Sequence, residues 1–253
     1  SKATKELHDA IQSLYGEPLS TLEMAEAIAA QGWRSIVASA GGPMAEQLKR
    51  FGAEHIELPL ASKNPLQIWR NADHLEQIIR KCGVDIIHAR SRAPAWAAYL
   101  AAKRTKTKFL TSFHGVYKHQ NAFKRWYNEI MTKGERVIAV SHFIEEHLQR
   151  VYAVDPNKIR VVQRGADMRL FRRERVNGHS IMRLAKEWLV PEGVPVILVP
   201  GRITRWKGQH VVLEALKLLP PEQTFFCLLV GEDSKHPEYR QELEDIIADS
   251  PRL

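Results

Sequence analysis

The chain has 253 residues, 44% hydrophobic and 26% charged, with a net charge of +8. That is room for one large domain or two ordinary ones, with the composition of a soluble globular protein. No stretch reaches the roughly 18 uncharged apolar residues of a membrane-spanning helix, and the opening SKATKELHDAIQ lacks the apolar centre of a secretion signal.

Residues 1–15 carry Ala3, Leu7, Ile11 and Leu14 at helical spacing, and no opening strand is visible. Ser20 and Glu23 form a capping-box pattern, which predicts a helix starting there. RSIVAS (34–39) predicts a strand, GlyGlyPro then opens a helix through Phe51, and HIELP (55–59) is a short strand. Residues 65–82 place Leu66, Ile68, Trp69, Leu75, Ile78 and Ile79 on one helix face. Strands are expected at 84–89, 108–113, 136–140 and 159–163, with helices at 94–104, 121–132 and 141–152 between them. This alternation predicts a parallel sheet covered on both faces. The strand-free stretch 171–193 reads as a connector with a short helix, closed by Pro191 and Gly193. Strand 195–200, helix 206–219, strand 224–231 and helix 239–249 then begin a second doubly wound unit. The expected domains are 1–175 and 176–253. Cys82 and Cys227 are far apart and in no metal-ligand spacing. They read as inert core thiols of a reducing compartment, so the expected location is cytoplasmic.

Charge is concentrated. From Ala101 to Arg175 there are seventeen Lys and Arg against seven Asp and Glu, so the rest of the chain is close to neutral. A local basic excess points to an anionic partner: phosphorylated ligands, an anionic membrane surface or nucleic acid. The segment 118–136 interleaves Lys118, Lys124, Arg125, Lys133 and Arg136 with Phe123, Trp126, Tyr127, Ile130 and Met131. As a helix it suits a membrane surface, although packing of Trp126 and Ile130 on the sheet is the simpler account. No DNA- or RNA-binding signature accompanies it, and nucleic acid is not an expected partner.

In open α/β sheets ligands bind beyond the carboxyl ends of strands. The stretch GRITRWKG (201–208) stands there, between a strand and a helix, with three cations, Arg202, Arg205 and Lys207. A helix N-terminus favours phosphate, Gly201 and Gly208 allow close backbone approach, and Arg202 and Lys207 supply a fork and a point charge. On spacing alone, a solvated cationic turn competes evenly with a pyrophosphate site. Other strand ends carry His114 and Gly115; Arg90, Ser91 and Arg92; Gly165; Gly231 and Glu232; and the pair Gly41 and Gly42, which could cradle phosphate. No cluster of metal ligands is visible, and no metal or cofactor is expected.

The order SAGGPM, HARSRAP, TSFHGVY, RVIAVSHFI, VVQRGADMRLF, VPGRITRWKGQHVVLEAL and LLVGEDS resembles the family-4 retaining glycosyltransferases of GT-B fold, bacterial lipopolysaccharide and cell-surface glycan enzymes in particular. The resemblance runs from about residue 20 to about residue 247. It implies two Rossmann-like domains, the second incomplete here, and retaining transfer from a nucleotide-sugar to a glycan or lipid-linked acceptor. It implies that Arg202 and Lys207 hold the donor diphosphate, with Gly201 and Gly208, and stabilise its charge as it leaves. His114 is implied near the donor sugar, Gly231 and Glu232 near the nucleotide, and Gly41, Gly42, Arg90, Ser91, Arg92 and Gly115 on the acceptor side. Two departures bear on activity. The family's glycine-rich first loop, which implies a donor contact at Gly16, is represented by Gly16 and Glu17 alone, with no strand before them. The family's pair of donor-binding glutamates would lie beyond Leu253. A non-catalytic binding module and a sugar-nucleotide epimerase of the same architecture are the alternatives. The expected location is cytoplasmic, with peripheral contact to the inner face of the plasma membrane.

Overall fold

The computed structural model describes residues 17–42, 44–117, 120–165, 168, 171–232 and 237–250. The helical spacing of residues 1–15 and the proposed donor contact at Gly16 lie outside the described residues. The chain divides into two compact units, Glu17–Gly165 and, from Ala166, the remainder. The sequence reading places the division near residue 175; residues 171–177 go with the second unit.

In the first unit the elements alternate: α1 (Glu17–Ala30), β1 (Ile36–Ser39), α2 (Ala45–Arg50), β2 (Glu54–Glu57), α3 (Pro65–Cys82) and β3 (Ile86–Ala89). They continue with α4 (Arg92–Thr105), β4 (Lys108–Phe113), α5 (Ala122–Glu129), β5 (Arg136–Ala139), α6 (His142–Tyr152) and β6 (Ile159–Val161). Every strand pairing is parallel, as expected. Among the described residues the pairing forms two sheets, β1-β2 and β3-β4-β5-β6, rather than one. Most strands end a residue or two before the apolar runs do, because the last residues already belong to the turns that carry the strand-end loops.

Helix α3 shows how sequence sets an element. The Asn64 side chain accepts from the Leu66 N–H at 2.9 Å, Pro65 occupies the first helical position, and Gly83 closes the helix at φ 63°. Its buried face is Asn71, Ala72, Leu75 and Ile79. Leu66 and Trp69, expected on that face, are exposed. Trp69 instead lies under the Arg104 guanidinium at 4.7 Å, a cation–π contact reached from α4. Helix α4 buries Ala95, Ala97, Ala98, Ala101 and Ala102, small side chains that let α3 and α4 approach closely. The core beneath them centres on Phe113, Ile130, Met131, Val137 and Leu148.

Helix α1 begins three residues before the expected capping box, so Ser20 lies within it and does not cap it. The Ser20 hydroxyl is engaged elsewhere, by two arginines described below.

The second unit holds α7 (Gly178–Glu187), β7 (Val196–Pro200), α8 (Gln209–Lys217), β8 (Phe226–Val230) and α9 (Pro237–Ala248). Strands β7 and β8 pair in parallel from Val196↔Phe226 to Pro200↔Val230. Leu213 and Leu216 of α8 and Tyr239 and Leu243 of α9 pack on Ile197, Cys227 and Leu229. The opposite side chains of β7, Val196 and Leu198, are exposed. Among the described residues this sheet is thus covered on one face, where two were expected.

Candidate functional site

The loop after β7 is built by its neighbours. The Gly201 N–H donates to the Val230 carbonyl at 2.8 Å, and the Ile203 N–H to the Glu232 carbonyl at 2.9 Å. The β7–β8 pairing therefore continues past the strand ends and holds two loops against each other. A Cβ on Gly231 would stand 1.9 Å from the Gly201 carbonyl oxygen and 3.0 Å from the Arg202 nitrogen. Only glycine fits at 231. The signal read there as a ligand contact is accounted for by backbone approach.

Behind the loop, Gln209 is buried at the start of α8 and donates to the Arg202 carbonyl at 2.9 Å. Ile203 and Thr204 are also buried, so the loop is anchored at its centre while its cations project. The three cations have different fates. Arg205 bonds Glu242 of α9 at 2.6 Å and lies 5.7 Å from the Tyr239 ring. Tyr239 in turn meets the His210 ring at 2.9 Å and accepts from its backbone N–H at 3.1 Å. Arg205 is thus a structural tie between loop and helix. Lys207 lies over the exposed Trp206 ring at 4.3 Å. The Arg202 side chain is exposed and meets no hydrogen-bond or ion-pair partner among the described residues. Gly208 caps α8 at φ 78°, with Gly201 at the far end of the same loop.

In the first unit, strand-end residues converge on α1. Arg90, just past β3, donates to the Ser20 hydroxyl through Nη2, and its Nη1 lies 3.6 Å from Met24 Sδ. Arg164, just past β6, donates to the same hydroxyl at 3.2 Å. His114, just past β4, has both ring nitrogens buried without a hydrogen-bond partner among the described residues. Burial, then the charges of Arg90 and Arg164 and the neighbouring His88, lower its pKa to about 4. His88 is likewise lowered to about 4, by burial and then Arg90, and meets Ser112 Oγ at 2.8 Å. Both imidazoles are therefore neutral at neutral pH, and a neutral ring can donate one hydrogen bond and accept another.

The other predicted residues separate. Ser91 precedes α4 at its N-cap position without a side-chain cap bond. Arg92 donates to Asn128 at 2.8 Å and covers the Tyr117 ring at 4.3 Å, which commits it to packing between α4 and α5. Gly41 and Gly42, at φ 80° and 123°, form a turn after β1 that other residues adopt only under strain. Gly115 sits in open space beyond His114. Arg164 and Ser20 were not singled out from sequence. Arg164 carries the same signal that singled out Arg90, a cation just past a strand end; Ser20 carries none, since its helix was expected to start there.

Residues 19–170 match the family described as Glycosyltransferase Family 4, more than half of the chain. The chain belongs to glycosyltransferase family 4. A glycosyltransferase of Rickettsia africae has a similar crystal structure, with a TM-score of 0.81 and 42% identity over 92% of this chain and 61% of that one. HepE of Anabaena in complex with UDP-glucose is similar in fold, with a TM-score of 0.74 and 19% identity over 94% of this chain and 64% of that one. These likenesses establish the Rossmann-like GT-B fold class. The D-inositol 3-phosphate glycosyltransferase of Xylanimonas cellulosilytica is 26% identical over 173 residues, 63% of this chain and 41% of that protein. This family-4 chain thus spans about two fifths of that curated relative. No described helix is long and apolar enough to cross a membrane.

Proposed function

We propose that the chain takes part in transfer of a sugar from a nucleotide-sugar to a hydroxylated acceptor, with retention. The observation that carries this reading is the loop 201–208. It holds the exposed guanidinium of Arg202, without a hydrogen-bond or ion-pair partner among the described residues, and the ammonium of Lys207 beside the N-terminus of α8, while Arg205 is withdrawn into an ion pair. Fixed positive charge at the positive end of a helix suits a diphosphate that gains charge as the glycosidic bond breaks. In this reading Gly201 and Gly208 admit the donor backbone-close, and Glu232 follows on the nucleotide side. The first unit takes the acceptor. Arg90 and Arg164 meet at Ser20 beside the neutral His114, and Gly41, Gly42, Ser91 and Gly115 occupy neighbouring strand ends. Two guanidiniums favour an acceptor bearing phosphate, such as a phosphorylated glycan or a lipid-linked one.

The reading extends to location. Helix α5 exposes Phe123 (70%) and Trp126 (53%) beside Lys124 and Arg125. Trp126 also stacks on Trp96 at 4.9 Å, and Ile130 is buried, so part of the apolar stripe does pack inward, as the simpler account expected. The exposed remainder supports peripheral contact with an anionic membrane at the cytoplasmic face.

The decisive experiment is a calorimetric and thermal-shift screen of UDP-, GDP- and ADP-sugars, followed by product analysis with and without a phosphorylated acceptor. Sugar transfer that depends on the acceptor supports the proposal. Conversion of the nucleotide-sugar without an acceptor points to an epimerase. Binding without turnover points to a non-catalytic module, and no binding of any nucleotide-sugar refutes the reading.

A further inference from the structure

Helix α8 buries Gln209, Leu213 and Leu216, which lie at i, i+4 and i+7 on one face. That spacing calls for a third apolar side chain at 209, yet an amide stands there, 1% exposed. Its Oε1 is buried with no hydrogen-bond partner among the described residues. A buried acceptor without a donor costs stability, and methionine would fill the same length without that cost. Departures of this kind from the local pattern gather at functional sites.

The other end of the amide accounts for it. Nε2 donates to the Arg202 carbonyl at 2.9 Å and lies 3.5 Å from the Gly201 carbonyl oxygen. Both neighbours only accept, so the NH2 end of the amide must face them. The Thr204 hydroxyl also approaches the Arg202 carbonyl, but at 3.5 Å, near the limit of a hydrogen bond.

These contacts hold the peptide groups on both sides of Arg202. Ahead of it, the Gly201 N–H donates to the Val230 carbonyl, and the Gly201 carbonyl lies between the Gln209 amide and the bare Cα of Gly231. After it, the Arg202 carbonyl is held by Gln209 and the Ile203 N–H by the Glu232 carbonyl. With both planar peptides held, the direction in which the Arg202 side chain leaves the backbone is held too. The Lys207 stem comes within 3.9 Å of the place a Cβ would take on Gly201, so it runs beside the same backbone.

We propose that Gln209 is a positioning residue of the loop 201–208. The inference rests on the reading of that loop as a diphosphate site. Gln209 is buried out of reach of a ligand and acts through Arg202: by pinning the 201 and 202 carbonyls it presents the guanidinium fork in one direction before phosphate arrives. Without the amide donor the peptide after Arg202 is released, and the fork must be ordered during binding, which lowers affinity.

The test is a double-mutant cycle on the 253-residue chain, read by calorimetry with UDP, GDP and ADP. Gln209→Met removes both donors and the orphaned acceptor together. It is expected to hold the thermal midpoint within a few degrees and to weaken the preferred nucleoside diphosphate by about tenfold. In the Arg202→Ala background the same change should alter affinity by less than about twofold, since its effect passes through Arg202. Gln209→Glu is the second variant, equal in shape but turning lone pairs toward two carbonyls, and it should weaken binding at least as much. The proposal is overturned if Gln209→Met binds within about twofold of the parent chain, or loses the same factor with and without Arg202, which is general loosening of the loop. It is equally overturned if both variants lose affinity only in proportion to the fraction unfolded, which makes Gln209 a core residue and no more. A parent chain that binds none of the three nucleotides refutes the diphosphate reading, and the role of Gln209 with it. A parent chain that binds, weakens on Arg202→Ala and holds on Gln209→Met refutes the role of Gln209 alone.

Discussion

Arg202 and Arg205 are three positions apart in one loop and chemically alike, yet the structure gives them opposite tasks. Arg205 is paired with Glu242 on an exposed surface, an arrangement worth about 0–1 kcal/mol. Arg202 has its fork available. Arg202→Ala is expected to weaken nucleotide-diphosphate binding by roughly tenfold to a hundredfold, the loss of about 1.5–3 kcal/mol of charged hydrogen bonding. Arg205→Ala should change affinity less than about twofold. Calorimetry on both variants checks the assignment; equal losses would remove it. Gly231 gives a second test. Gly231→Ala forces a methyl group onto the Gly201 carbonyl, and the loops must separate. The expected cost is at the upper end of about 1–3 kcal/mol, read as a lower urea midpoint for the second unit.

At the scale of elements, α5 carries the membrane prediction. In the proposed membrane contact its exposed aromatics would insert where its cations are attracted. The double variant Lys124→Glu, Arg125→Glu should lose flotation with anionic vesicles while keeping its thermal midpoint within a few degrees. Flotation that survives the reversal, or that never depends on anionic lipid, would place the basic excess elsewhere. The strand-end loops show why some site residues are visible in sequence and others are not. A cation after a short apolar run is a local pattern, which is how Arg90 and Arg202 stand out. Ser20 lies inside a helix seventy positions from Arg90, and only the packing of α1 brings the two together.

For the molecule as a whole, the buried histidines set a dependence on pH. His88 and His114 titrate near 4 in the folded chain and near 6.5 when unfolded, so between those values the unfolded state binds more protons. Stability of the first unit is full above about pH 6.5 and falls as pH drops toward 4, by on the order of 2 kcal/mol for His88 and less for the more accessible His114. Urea unfolding at pH 7.5 and pH 5 measures this; His88→Gln should flatten the difference, and an unchanged slope would show that the ring is not buried neutral.

The sequence by itself determined the alternation of short apolar strands and amphipathic helices, the parallel pairing that such alternation requires, and the placement of cations at strand ends. These follow from local periodicity and turn chemistry, which need no partner elsewhere in the chain. Tertiary structure alone decided which cation is tied and which is open, because Glu242 is thirty-seven positions from Arg205. It also decided that Gly231 serves backbone approach and that Arg92 serves packing. It decided, finally, that among the described residues β1 and β2 pair apart from β3 to β6, since strand pairing is long-range and no local pattern encodes it.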